Sequence, residues 1–302
     1  MILEVVHRAP PRRRRWSALV VAGIAAGLLG WTIAARAGEP DDDPGRKDPR
    51  RLSSTEINKR VADPVSTTWS LKLQTDLNLL DFDAHGTELQ TKLLLQPTMP
   101  IIVGEHLKLI VRPEFTLVDD TPYTNAAGAL RRTTGFGDTI LDLVLGPRST
   151  PWLLALGPTF TFPTASVEQT GNGKWEIGPA GVVGYHAPTW LAVFIGQQWF
   201  SYAGDADRRS VSELHLQYIA NWFFGDGWSI GTSPTMKVNW NAASGQQVTF
   251  PFGPSITKVV KFGDALPVKF ELDLLYVPVH PDNGDQAIFQ FKVIPVVPSP
   301  LP

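Results

Sequence analysis

The stretch that decides the fold is GFGDTILDLVLGP, from Gly135 to Pro147. It begins like a glycine-rich phosphate loop, but no helical pattern follows the glycines and no Lys-Ser or Lys-Thr pair is present, which excludes that motif. Leu141, Leu143 and Leu145 alternate with Asp142. A carboxylate is costly in a soluble core. The alternation is typical of a strand with one face in lipid and the other in a wet lumen.

The first 37 residues predict a secretory signal peptide. A basic cluster, Arg12 to Arg15, precedes an apolar run over residues 16–35, and Ala35-Arg36-Ala37 supplies the small residues of a cleavage site. We expect cleavage between Ala37 and Gly38. An uncleaved transmembrane anchor is the alternative, because the run is nearly long enough to span a bilayer.

Cleavage would change the charge of the chain. Removing residues 1–37 takes away six of the 27 basic and one of the 29 acidic residues, which leaves 21 and 28 and a net charge of −7. Nucleic-acid binding needs the opposite balance, so a nucleic-acid partner is excluded. The chain has no cysteine, which excludes disulfides, thiolate metal sites, a cysteine nucleophile and a lipid-modified N-terminal cysteine.

Residues 38–66 predict a polar linker with one short helix. The stretch GEPDDDPGRKDPRRLSS is rich in proline and charge. The following STEINKRVADP fits a short amphipathic helix with Ser53 or Ser54 as its cap.

Residues 67–302 predict an all-β domain, a transmembrane antiparallel up-and-down β-barrel. From Trp69 onward the segments alternate with period two, and turn signals separate them. Twelve strands are predicted, near residues 69–80, 87–102, 106–118, 135–146, 152–163, 174–186, 190–203, 211–224, 228–240, 248–262, 268–277 and 286–297.

The connections between these strands sort by length. The odd-numbered ones are polar and often long: 81–86, 119–134, 164–173, 204–210, 241–247 and 278–285. The even-numbered ones are mostly tight: 103–105, 147–151, 187–189, 225–227 and 263–267. Long external loops and short periplasmic turns are typical of outer-membrane barrels. The expected partners are therefore membrane lipid, lipopolysaccharide and the barrel-assembly machinery, with both termini periplasmic.

Tryptophans cluster at the predicted strand ends. They predict two aromatic girdles at the bilayer interfaces. The periplasmic set is Trp69, Trp152, Trp190, Trp222 and Trp228, and the set next to the long loops is Trp175 and Trp240.

Charged and polar residues on the opposite strand face predict the lining of the lumen and its selectivity. Counting residues across the hairpins sets Arg112 opposite Asp142, His215 opposite Lys237, and Glu271 opposite Lys292. The predicted lumen residues are Lys108, Arg112, Glu114, Asp138, Asp142, Glu213, His215, Lys237, Glu271 and Lys292.

Catalysis lacks the required pattern. A nucleophile needs a base within hydrogen-bond reach, but Ser212 lies three residues from His215, on the opposite face of its strand. We therefore expect no catalytic residues and no cofactor. The acidic stretches DDTPYTN (119–125), GDADR (204–208) and PDNGD (281–285) could bind divalent cations, but none has EF-hand spacing, and no metal site is predicted.

Several stretches together resemble a family of bacterial outer-membrane proteins, often labelled "neuromedin U" and related to proteins assigned as transporters of phenol-degradation (meta-pathway) operons. They are VADPVSTTWSLKLQTDLNLL, LLLQPTMPI, GFGDTILDLVLGP, GPTFTFPTAS, GNGKWEIGPAGVV, WFSYAGDADR and VVKFG. The resemblance implies an outer-membrane barrel associated with uptake of hydrophobic or aromatic compounds, without catalytic residues. The tail PVVPSPLP departs from the aromatic ending common in such barrels.

The expected function is a narrow channel or transporter for small molecules in the bacterial outer membrane. About eight strands leave an interior filled by side chains and about sixteen leave an open channel, so twelve predicts a narrow or partly occluded pore. A structural or partner-binding barrel without transport is the alternative, followed by a barrel enzyme that acts on lipids.

Overall fold

A computed structural model describes residues 48–82, 85–148, 150–263 and 265–299. The predicted signal peptide and the first part of the linker lie outside the described residues. All strands belong to one antiparallel sheet that closes on itself, because the first strand pairs with both the second and the last.

Fifteen strands build the sheet. Their bounds are β1 Trp69–Phe82, β2 Gly86–Val103, β3 Leu107–Thr124, β4 Leu130–Gly135, β5 Thr139–Pro147, β6 Trp152–Phe162, β7 Lys174–His186, β8 Trp190–Gly204, β9 Ser212–Phe223, β10 Trp228–Thr232, β11 Thr235–Asn239, β12 Val248–Phe252, β13 Ser255–Val260, β14 Val268–Val279 and β15 Asp285–Val297.

Three crossings of the barrel are each made of two consecutive strands, namely β4 with β5, β10 with β11, and β12 with β13. The fifteen strands therefore form twelve crossings. This confirms the predicted twelve-stranded up-and-down barrel. Prolines explain two of the interruptions: Pro234 and Pro254 stand between the paired segments, and proline has no N–H to donate to a ladder.

The observed register places the predicted cross-strand pairs opposite each other. Arg112 is paired with Asp142 across β3 and β5. His215 is paired with Lys237 across β9 and β11, and Glu271 with Lys292 across β14 and β15. Because side chains alternate between the two faces of a sheet, this register also determines whether each neighbouring residue points to the lumen or to the outside.

The predicted long loop over residues 119–134 is wrong. Strand β3 continues to Thr124 and pairs with β4 from Leu130 onward, which extends the hairpin beyond the barrel wall. Only the tip is a loop, where the side-chain oxygen of Asn125 accepts hydrogen bonds from the backbone of Ala127 (3.0 Å) and Ala129 (2.9 Å). Asparagine favours such turns because its side chain can satisfy nearby backbone donors.

The outer surface of the barrel is apolar. Leu156, in the middle of β6, is 69% exposed, which would be unfavourable in water but is suited to lipid. The same face carries exposed leucines, isoleucines, valines and phenylalanines along other strands: Leu71, Leu73, Leu79, Leu145, Leu154, Ile177, Val183, Phe194, Phe200, Ile230, Ile256, Leu274, Phe289 and Phe291.

The predicted girdle tryptophans lie at or next to strand ends. Six of them are exposed on the barrel: Trp152, Trp175, Trp190, Trp222, Trp228 and Trp240. The seventh, Trp69, donates from its indole to the carbonyl of Pro100 (3.1 Å). Among the described residues, no helix has the length and hydropathy needed to cross a bilayer.

One α-helix precedes the barrel. Helix α1 spans Ser54–Ala62, and the hydroxyl of Ser53 caps it by accepting from the backbone N–H of Glu56 (3.1 Å). The predicted short helix is present, with Ser53 as the cap. Two short 3-10 turns, Pro49–Arg51 and Glu168–Thr170, flank the strands.

Helix α1 lies inside the end of the barrel that carries the short turns. The amide of Asn58, which is 0% exposed, donates to the carbonyl of Gly227 (3.0 Å) and to the hydroxyls of Ser229 (3.1 Å) and Thr257 (3.2 Å). Ile57 packs against interior valines of β13 and β15. The helix therefore plugs the periplasmic end of the lumen.

Leu156→Arg should impair insertion and assembly, because a cation on the lipid face near mid-bilayer costs roughly 2–4 kcal/mol. The fraction of folded barrel can be measured from its mobility on unheated gels after refolding into lipid vesicles. Ala127→Arg, at the hairpin tip, is the matched control and should fold like the parent. Equal folding of both variants would contradict the assigned lipid face.

Candidate functional site

The periplasmic half of the lumen is lined by apolar side chains. Ala62 and Val65, at the end of the plug, pack in one cluster with inward residues of β3 and β5 to β9: Ile110, Val144, Leu153, Ala155, Ala180, Val182, Leu191, Val193, Ile195 and Phe223. The sequence predicted a lumen lined by charged and polar residues, and in this part of the barrel the lining is apolar instead. These positions are apolar because a helix, and not water, fills this part of the barrel.

Above the plug, four charged side chains of β14 and β15 form a compact network. The ammonium of Lys292 lies 2.7 Å from a carboxylate oxygen of Glu271 and 2.8 Å from one of Asp273. Lys269 lies 2.9 Å from the other oxygen of Glu271. Ser233 donates to Asp273 (2.9 Å) and accepts from Lys292 (3.0 Å). We call this network the charge belt.

A second ion pair joins the neighbouring strands β3 and β5 at a similar height. Arg112 donates to Asp142 through Nη2 (2.9 Å) and Nε (3.2 Å). Gln197, on β8, reaches the same carboxylate with its amide (2.8 Å). Because β6 and β7 separate β5 from β8 in the sheet, this amide bridges the lumen and narrows it.

The extracellular half of the lumen is an open polar chamber of about 620 Å³, which we call the outer chamber. Five carboxylates line it, against two permanently charged cations: Asp119, Asp138, Glu168, Glu176 and Glu213, with Lys92 and Arg208. This excess of negative charge favours cations at the entrance, because fields add within a cleft bounded by a low-dielectric wall.

The loop over residues 163–173 forms one side of the outer chamber. Asp138 holds it by accepting from the backbone N–H groups of Ala165 (3.0 Å) and Asn172 (2.7 Å). The amide of Asn172 in turn donates to Glu176 (3.0 Å). Asp138 therefore positions this loop besides facing the chamber.

The remaining predicted lumen residues are spread along the height of the barrel. Lys108 lies at the plug end, where it donates to the carbonyl of Arg148 (3.3 Å). Glu114 accepts from the amide of Gln96 (2.7 Å). Lys237 lies near the external mouth, where it lines a second polar recess. The predicted set is thus not one site.

His215 lines the outer chamber, where two neighbouring side chains hold its ring. Its Nε2 lies 2.7 Å from a carboxylate oxygen of Glu213, and its ring meets the ring of Trp199 edge-on at 4.8 Å. Within the part of the chain that the structure describes, the residues that line this chamber include no serine. Likewise, the described residues contain no group of three or more histidines and carboxylates placed to hold a metal ion.

Sequence reasoning missed several interior residues. Lys269 and Asp273 share the strand face of Glu271, so the alternation in β14 could have found them. Gln197 and Trp199 had no such signal, because their partners, Asp142 and Thr159, are distant in sequence and meet them only through the curvature of the wall.

Asp63, directly after helix α1, is the titratable group of the plug. Burial raises the pKa of its carboxyl to about 6, while the backbone N–H of Val65 (2.8 Å) and the charge of Lys108 act in the opposite direction. Because the folded pKa lies above the ordinary value of 3.8, the ionised carboxylate opposes docking of the plug at neutral pH. That opposition declines as the pH falls below 6 and is gone only below 3.8.

The closed sheet, the lipid-facing apolar surface and the charged interior define the class of protein: an outer-membrane β-barrel. The fold is similar to that of an outer membrane channel from Pseudomonas putida F1, with a TM-score of 0.52 at 17% identity over 76% of this chain and 95% of the channel. It also matches the NanC porin, with a TM-score of 0.46 at 6% identity over 75% of this chain and 98% of the porin.

The chain belongs to the family described as "Putative MetA-pathway of phenol degradation", whose model matches residues 104–273. The matched segment runs from the first periplasmic turn to the charge belt in β14. No curated protein matches the chain significantly.

Arg112→Ala should lower the stability of the barrel by roughly 1–3 kcal/mol, because it leaves Asp142 with only an uncharged partner, Gln197. Arg112→Ala with Asp142→Ala should recover much of that loss, since contacting residues are not additive. Urea unfolding in vesicles measures both. The control is Arg132→Ala, at an exposed ion pair with Asp120, which should cost roughly 0–1 kcal/mol. If the double variant recovers none of the stability lost in Arg112→Ala, the predicted coupling between Arg112 and Asp142 is contradicted.

Docking of the plug should weaken as the pH rises from 5 to 8. A cysteine at Ile57, buried in the docked state, reports undocking through its rate of modification by a thiol reagent. Relative to the same cysteine in an Asp63→Asn background, modification should be several-fold faster at pH 8, and this excess should shrink as the pH falls from 6 to 5. Comparison at equal pH cancels the ionisation of the thiol. A constant ratio would contradict the role of Asp63.

Proposed function

We propose that this barrel is a narrow channel for small molecules across the outer membrane, with helix α1 as its periplasmic closure. One observation carries the proposal: an open polar chamber of about 620 Å³ lies in the lumen on the side of the long loops. A purely structural barrel of this size could fill its interior with packed side chains, as smaller barrels do.

The class of solute is inferred from the family of this chain and from a solved structure with a similar fold. The description of its family names phenol degradation, and a solved structure with a similar fold is named an outer membrane channel. The family description supports small hydrophobic or aromatic solutes, and the likeness to a channel supports passage through the barrel. A relation to the outer-membrane group often labelled "neuromedin U" is part of this proposal.

The plug is held by contacts that can be released together. Its main polar anchor is the amide of Asn58, and the hydroxyl of Thr55 adds one bond by accepting from the backbone N–H of Gly227 (3.1 Å). Its apolar contacts come from Ile57, Ala62 and Val65. A nine-residue helix is marginal on its own and depends on such packing. Loss of the anchor and part of the packing therefore undocks the helix without opening the sheet.

Asn58→Leu combined with Ile57→Asn should raise the single-channel conductance in planar bilayers several-fold over the parent. Leucine cannot satisfy the three groups that the Asn58 amide now bonds, and a second buried polar group adds to the cost. Asn58→Gln alone, which keeps the amide, should cause a smaller change. A parent and a plug variant that both fail to conduct would overturn the proposed channel.

A barrel that binds an external partner is the second candidate. The observation that favours it is the extended β3–β4 hairpin, whose external end carries Arg132 paired with Asp120 (3.1 Å) and Glu88 (3.6 Å). Such a barrel would not conduct with or without the plug. A lipid-acting barrel enzyme is less supported, because His215 is engaged by Glu213 and Trp199, and it would show as lipid hydrolysis by the purified protein.

A further inference from the structure

A small cavity of about 110 Å³ separates the plug from the charge belt, and we call it the inner cavity. Its walls differ in character. One side has an apolar surface, formed by Val61 and Ala62 of helix α1 beside Ile195, Ile219 and Ile294, and the residues after the helix add Asp63, Ser66 and Thr68. The opposite side carries the ends of four cationic side chains: Lys72, Arg112, Lys269 and Lys292.

Three of these four cations are already paired. Arg112 is held by Asp142, Lys269 by Glu271, and Lys292 by Glu271 and Asp273. Within the described part of the chain, Lys72 makes no hydrogen bond and no ion pair at contact distance, and the carboxylates of Asp76 and Glu114 act on its charge from further away. An ammonium group in the barrel interior without a hydrogen-bond partner is costly. An anion in the inner cavity would remove that cost.

The neighbours of Lys72 favour a carboxylate. Gln96 lies opposite Lys72 in the register of β1 and β2. The amides of Gln217 and Asn221 also line the inner cavity and can donate to carboxylate oxygens. Two carboxylates line the same space, against four cations: Glu271, which has two lysine partners, and Asp63 at the plug. Among the described residues, Lys72 is the one of these four cations whose charged end has no carboxylate at contact distance.

We propose that the inner cavity binds a small carboxylate with an apolar body, its charged end at Lys72 and its body against the isoleucines and the plug. The cavity exceeds the roughly 10–15 Å³ that one water occupies, and its polar and apolar walls match the two ends of such a molecule. The proposal names a solute class for the channel and to that extent rests on the proposed function.

The outer chamber does not bar such an anion. Four of its five carboxylates are held by a charged partner, a histidine or two backbone N–H groups: Asp119 by Lys92, Glu168 by Arg208, Glu213 by His215, and Asp138 by Ala165 and Asn172. Their fields are reduced by these partners. The Arg112–Asp142–Gln197 bridge then forms the boundary that the solute must pass.

Binding to the full-length protein in detergent micelles tests the inner cavity without requiring conduction. The probes are benzoate, its uncharged isostere benzamide, and acetate, measured by saturation-transfer NMR with competition. The parent should bind benzoate roughly tenfold or more tightly than benzamide, because only benzoate makes a charge-assisted bond with Lys72. It should also bind benzoate more tightly than acetate, because only benzoate covers the apolar wall.

Three variants sharpen the test. Lys72→Met should reduce the benzoate affinity to that of benzamide, and Lys72→Arg should retain most of it. Lys258→Met, which removes a cation that lies over the ring of Trp228 and lines neither the outer chamber nor the inner cavity, is the matched control and should change nothing. Gel mobility confirms that each variant is folded. Equal binding of benzoate and benzamide by the parent, or a loss in Lys258→Met equal to that in Lys72→Met, would overturn the proposal.

Uptake into proteoliposomes separates the two proposals. Benzoate binding that depends on Lys72, without uptake of either probe by the parent or the plug variant, would overturn the channel and keep the binding site. Uptake of both probes at equal rates, with no binding that depends on Lys72, would keep the channel and overturn the site. If both hold, Lys72→Met should slow benzoate uptake selectively.

Discussion

Closure of the sheet by the pairing of β1 with β15 is the constraint on which the rest of the structure depends. In hydrocarbon no water is available to satisfy an open strand edge, and each unsatisfied backbone group costs several kcal/mol. Closure satisfies them all, and it also creates two faces with different solvents. The exposed Leu156 and the buried Asp273 are both consequences of it. Apolar side chains turn to lipid, and charged ones can collect inside.

The interior then divides along the barrel axis according to what fills it. Helix α1 enters at the periplasmic end, so the strands opposite it carry isoleucine, valine and leucine, as in a soluble core. Further from the periplasmic end the helix no longer fills the lumen, and the lining there consists of Arg112, Lys292 and their carboxylate partners. The border between these two environments is the inner cavity, the place where a molecule with one charged and one apolar end fits best.

Some interactions of the plug favour its docking in the lumen, and one opposes it. Its apolar residues and the amide of Asn58 favour docking, while the ionised carboxylate of Asp63 opposes it at neutral pH. A closure that must open cannot be held as firmly as a core strand, and elements that move are drawn from the less stable parts of a structure. The backbone ladder of the barrel takes no part in this balance, so the plug can undock without unfolding the sheet.

Period-two alternation, turn residues and the sorting of loop lengths determined the class, the twelve crossings and the local register, because these depend only on neighbours in a hairpin. Arg112 opposite Asp142 followed from counting across one turn. The tertiary structure alone decided what lies across the lumen. Residues far apart in sequence meet in the bridge from Gln197 to Asp142 and in the docking of Asn58 on β10 and β13. The same holds for Lys72, which meets the plug residues only at the inner cavity. Those contacts are set by barrel curvature and by a helix folded back into the lumen, and no local pattern encodes either.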